Sequence, residues 1–84
     1  MNEMSNILAK IVIGACLFFE FSDSSVVDPD AAIKMMEQIA AELQGLSESQ
    51  KESVCEIFNE IASNYDKEFS SFILSLPENL GLID

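Results

Sequence analysis

The sequence predicts an all-α protein, a compact bundle of three to four helices covering about residues 3–21, 29–44, 48–63 and 65–76. Three observations lead there. Apolar residues recur at helical spacing in long stretches; Asp28-Pro29 and Ser47-Glu48-Ser49-Gln50 are helix-start signals; and the one strand-like run, Ile11-Val12-Ile13, has no second run to pair with. The 84 residues are expected to form a single helical domain, residues 1–84. A chain this short buries only about 60–65% of the surface its unfolded form exposes, so its core must be efficient.

The first segment is apolar almost all round: Met4, Ile7, Leu8, Ile11, Cys16 and Phe18 are filled in by Val12, Ile13, Ala15, Leu17 and Phe19. Such a helix is expected to be surrounded by other elements or by a second copy of the chain. Ser22-Asp23-Ser24-Ser25 breaks the pattern as a polar loop. In the second helix Asp28 caps the free amides and Pro29 takes the first helical position. Ala32, Ile33, Met36, Ile39, Ala40 and Leu43 form its stripe, and Gly45 is expected to close it in the left-handed conformation. Ser47 and Gln50 form a capping box for the third helix. From there Val54, Phe58, Ile61, Tyr65, Phe69, Phe72 and Leu76 stay in phase until Pro77 is expected to stop the run. One straight helix over that span would be roughly 43 Å long and would overhang its partners. A bend or break near Ser63-Asn64 is therefore expected. The tail from Pro77 to Ile83 is apolar enough to fold back. Phe18, Phe19, Phe21, Phe58, Phe69 and Phe72, with Met35 and Met36, suffice for a small core, and a few of them are expected to line a contact surface.

The net charge is −11, from 15 acids against 4 bases. A surface of that sign repels nucleic acid and anionic lipid and attracts basic proteins. Ile13-Gly14-Ala15-Cys16 loosely resembles a lipoprotein cleavage box. Glu3 and the lone Lys10 do not make the basic start of a signal peptide, however, and Lys10 and Glu20 bracket fewer than half the roughly 20 apolar residues of a membrane span. The expectation is a mature cytoplasmic protein with two reduced thiols.

There is no histidine, so the usual general base and the commonest metal ligand are missing. Burial silences Cys16, and Glu52 and Glu56 oppose thiolate formation at Cys55. Asp23, Asp28 and Asp30 lack the central Gly and terminal Glu of a calcium loop, so capping and solubility explain them. The chain is expected to be no enzyme and to carry no catalytic residue, cofactor or metal. One arrangement asks for more: Glu48, Glu52, Glu56 and Glu60 repeat every four residues, and Glu68 resumes the row after Asn64. Each step of four advances about 40° around a helix, so the first four cover an arc of about 120° on one flank. Like charges at this spacing destabilise a helix by about 0.2–0.5 kcal/mol per pair. These five residues are the candidate partner-binding site, an anchor for a positively charged groove.

The segment Glu42-Leu43-Gln44-Gly45-Leu46-Ser47-Glu48-Ser49-Gln50-Lys51-Glu52, with Phe58-Asn59-Glu60-Ile61-Ala62, Tyr65 and Phe72-Ile73-Leu74-Ser75-Leu76-Pro77-Glu78-Asn79-Leu80-Gly81-Leu82, resembles the small acidic helical immunity proteins that bacteria encode beside polymorphic toxins. The resemblance implies binding and neutralisation of a cognate toxin, a nuclease or other basic enzyme, and assigns no role to an individual residue. Two alternatives stand beside it. A phage-type inhibitor or DNA mimic, such as an anti-CRISPR protein, would use the same carboxylates in place of phosphates. An acyl carrier-like protein is suggested by Asp23-Ser24, although Ser25, Val26 and Val27 separate that pair from the second helix. The expected partner is a toxin with a basic surface, without direct nucleic-acid or membrane binding, and a homodimer through the apolar first helix is the further association that the sequence allows.

Overall fold

The computed structural model describes residues 3–83 and places four helices in chain order: α1 (Glu3–Phe21), α2 (Pro29–Gln44), α3 (Glu48–Ala62) and α4 (Lys67–Asn79). All-α architecture and a four-helix bundle are thus observed, and among the described residues there is no strand.

The helix starts follow the local chemistry. The Asp28 carboxylate accepts from the Ala31 amide at 2.9 Å, with Pro29 opening α2. At α3 the capping box is complete: Gln50 N–H donates to Ser47 Oγ at 3.2 Å, and Ser47 N–H donates to Gln50 Oε1 at 3.0 Å. Each bond satisfies an amide that the first turn leaves without an intrahelical partner.

The expected break falls at residues 63–66. α3 ends at Ala62, Ser63 Oγ donates to the Glu60 carbonyl at 2.6 Å, and the chain turns through Tyr65 before Asp66 leads into α4. Tyr65 therefore leaves the apolar face with which its spacing is in phase, and it is exposed.

Two helix ends differ from the sequence expectation. Gly45 is not left-handed: it sits at φ −74°, ψ −9°, and its N–H donates to the Glu42 carbonyl at 3.1 Å, so α2 closes in a tight final turn. The left-handed glycine is Gly81, at φ 74°. Nor does Pro77 stop the run; it lies inside α4, buried, and the helix continues to Asn79. Only the bond to the Ile73 carbonyl is forgone there, because Pro lacks an N–H. The Pro77 carbonyl then accepts from Leu82 N–H at 2.8 Å while Gly81 N–H donates to the Glu78 carbonyl at 3.0 Å. That pair of bonds is a Schellman motif, and it requires a residue free to take positive φ.

The core lies where α1, α3, α4 and the tail meet. Ile13 and Cys16 come from α1, Ile57, Phe58, Ile61 and Ala62 from α3, Ile73 and Leu76 from α4, and Leu80 and Leu82 from the tail that folds back as expected. The Gln44 side-chain amide donates to the Leu80 carbonyl at 2.9 Å, which ties the tail to the end of α2. α2 is peripheral: Ala32 is buried, Met36, Ile39, Ala40 and Leu43 are partly so, and Ile33 is exposed.

Aliphatic side chains and Phe58 fill the centre. Phe18 and Phe21 are exposed; Phe21 packs edge-on against Phe69 and Phe72, with ring centroids 4.9 and 5.6 Å apart. Four helices of this length leave room for one phenyl ring at full burial, and the others collect at the margin.

Candidate functional site

The carboxylates of α3 follow from how that helix is held. Ile57, Phe58, Ile61 and Ala62 fix its inner face, and Val54 and Cys55 pack beside them. Residues Glu48, Glu52, Glu56 and Glu60 are left on the exposed side. At 1.5 Å per residue the row is about 18 Å long.

Its members are not equivalent. Glu48 is 3.5 Å from Lys51 Nζ, and it sits in the first turn, where the helix dipole favours a negative charge. The Lys51 side chain is only 16% exposed, so the one cation within α3 lies along the protein surface at the amino end. Glu52, Glu56 and Glu60 have no ion pair among the described residues. Glu68 is separated from them by the turn at 63–66 and occupies the first turn of α4, so no continuous helix carries all five.

Other acids are committed locally. Asp23 accepts from the Ser25 hydroxyl at 2.5 Å and the Ser25 amide at 3.0 Å, and these bonds hold its carboxyl below the usual carboxylate range. Asp28 is the cap of α2. Ser24 lies in the turn before Val27, five residues ahead of α2, and does not open a helix. Among the described residues no three of Cys, Asp and Glu form a group that could hold a metal ion.

The thiols are silenced by their surroundings. Burial pushes Cys16 up to about 11, and it raises Cys55 as well, with Glu52 adding to the effect. A cleft of about 450 Å³ opens between α1 and the α2–α3 corner, among Leu8, Val12, Leu43, Leu46 and Val54. Two of its rim groups are already engaged: Gln50 Oε1 accepts from Ser47 N–H, and Ser53 Oγ donates to the Ser49 carbonyl.

No protein-family model, curated protein sequence or solved structure matches the chain.

Of the two expectations for α1, that other elements of the chain surround it is not met. Only Ala9, Ile13 and Cys16 are buried, while Met4, Ile7, Leu8, Ile11, Phe18 and Phe21 are exposed. The other helices pack against one side of α1; among the described residues the opposite side is uncovered from Met4 to Ile11, and toward its carboxyl end Gly14, Phe18 and Phe21 border a hollow with Tyr65, Asp66 and Phe69. By length and composition α1 is also apolar enough to cross a membrane, with 17% of its most apolar stretch buried. The spacing of the uncovered residues is present in the sequence, but apolar residues all round the helix hide which side is turned outward.

Proposed function

We propose that the chain is an immunity-type inhibitor, a cytoplasmic, non-enzymatic protein that holds a basic toxin such as a nuclease against the exposed flank of α3. The observation that carries this reading is the run Glu52, Glu56 and Glu60: three exposed carboxylates one turn apart with no cation paired to them among the described residues. Spacing of this kind costs the free helix a few tenths of a kcal/mol per pair. A cationic groove removes the cost and gains attraction, which raises the rate of encounter and sets the docking register. Glu48 has its own cation, and Glu68 begins the next helix, so both are assigned to the margin of the contact.

Co-expression with the product of the adjacent reading frame tests the proposal. The wild-type chain should co-purify with that product and protect the cell, and the triple variant E52K/E56K/E60K should lose both properties. Complex formation undiminished by the triple variant removes the row as the anchor. Absence of any complex with the wild type removes the immunity reading.

A further inference from the structure

The outward side of α1 has an order that the monomer uses only at its carboxyl end, where Phe21 packs on Phe69 and Phe72. Met4, Ile7, Ile11, Gly14, Phe18 and Phe21 follow one another at steps of three, four, three, four and three. Residues seven apart drift by only about 20° around a helix, so the six form one stripe along its length. Four of these residues stand well out of the fold: Met4 at 66%, Ile7 at 49%, Ile11 at 62% and Phe18 at 51% exposure. The stripe contains no acid. Solvent-facing stripes of helices are ordinarily polar.

The spacing is palindromic. It reads the same from either end, about a point between Val12 and Ile13. A second α1 laid antiparallel on the first, related by a two-fold axis through that point, sets Met4 of each copy opposite Phe21 of the other and Ile7 opposite Phe18. Ile11 falls opposite Gly14.

That last pairing accounts for Gly14. A glycine within a helix costs about 1 kcal/mol relative to alanine, and a Cβ added here would meet nothing within 4 Å. The monomer therefore has no packing need for a missing side chain at this position, whereas a second helix does: the gap admits Ile11 of the other copy and lets the two axes approach closely.

We propose that this stripe is a two-fold symmetric dimer interface, in which α1 of a second copy packs antiparallel and each Ile11 seats over the partner copy's Gly14. The area suffices. Side chains of this size, about half exposed, contribute on the order of 100 Å² each, so the stripe with Leu8 at its edge supplies roughly 600 Å² per copy and clears the roughly 1,000 Å² total expected of a specific interface. Charge selects the same occupant. Most acids of the chain lie elsewhere: Glu3 stands at the edge of the stripe with Lys10 on the same edge, Asp66 borders its Gly14–Phe21 end, and Glu20 is off it. A copy with the same charge of −11 meets least repulsion along this side. A basic protein gains nothing from it, and an anionic membrane repels the whole molecule. The inner side of α1 is the one turned toward α3, so the acidic row stays uncovered in the dimer. The proposal does not depend on the function assigned to that row.

Sedimentation velocity on the full chain over a range of concentrations reads the outcome. The wild type should sediment as a dimer of a 9.3 kDa chain at micromolar concentration. Ile11→Glu, which places two carboxylates near the axis, should weaken association at least about tenfold. Gly14→Leu should weaken it as strongly with helical content and Tm at or above the wild-type values, because an added Cβ meets nothing within 4 Å in the monomer and leucine is the better helix former. A wild type that stays monomeric throughout, or a dimer indifferent to both substitutions, overturns the proposal. Flotation of a monomeric wild type with zwitterionic or anionic vesicles would overturn it in favour of a membrane contact.

Discussion

Replacing Glu56 by Lys should stabilise the free protein. Glu56 is the middle of the α3 row, one turn from Glu52 and one from Glu60, exposed and without an ion pair among the described residues. The substitution removes two repulsive pairs and creates two attractive ones. At about 0.2–0.5 kcal/mol per pair in each sense, the gain is about 1 kcal/mol. For a domain of this size that corresponds to a rise in Tm of roughly 5 °C. Thermal unfolding followed by circular dichroism at low salt measures it, and added salt should shrink the gain, since exposed charges are screened over about 10 Å at 0.1 M. Glu48→Lys is the control of opposite sign. It breaks the 3.5 Å pair with Lys51 and puts a positive charge at the amino end of α3, so Tm should fall. A Tm for Glu56→Lys at or below wild type at low salt would refute the claim that the row is uncompensated. Under the functional proposal, the same substitution strengthens the fold while weakening the complex.

Two other perturbations probe the fold. Gly81→Ala forces a side chain onto positive φ, and its Cβ would lie 2.5 Å from Gln44 Nε2; left-handed strain plus loss of the Gln44–Leu80 bond should cost about 2–3 kcal/mol in urea unfolding. Gly45→Ala should change stability by under about 0.5 kcal/mol, because reduced unfolded-chain entropy offsets its 3.2 Å contact with the Glu42 carbonyl oxygen; equal losses at both glycines would contradict the assigned helix ends. For Cys16, a folded-state pKa raised to about 11 means that the folded chain holds its proton where the unfolded chain has lost it. Its contribution is therefore intact below about pH 9 and falls as pH rises toward 11, by about 2–3 kcal/mol over the window. Unfolding of wild type and Cys16→Ala across pH 8–11 isolates that slope, and parallel curves would contradict it.

Local chemistry made the helix starts legible. Asp28 and Ser47 act within their own first turns, and no distant residue is needed to place them. The break after Ala62 was legible from length alone, since one straight helix would outrun the bundle. The ends were less so: Gly45 and Gly81 both follow a helix, and only the folded tail, tied by Gln44, shows which one turns left-handed. α1 resisted for a different reason. With apolar residues on every side, its periodicity has no contrast from which to identify the buried face. The α3 row was legible because its spacing is local. That Lys51 lies against the surface beside Glu48, and that Glu68 opens a separate helix, depends on the folded chain.

The most direct test of the central claim is a binding titration between this chain and the purified product of the adjacent reading frame, at low and at physiological salt, with wild type and E52Q/E56Q/E60Q. The neutral triple variant should bind at least about tenfold more weakly, mainly through slower association, and with a flatter salt dependence. Equal affinity and equal salt dependence in the two proteins would contradict that claim.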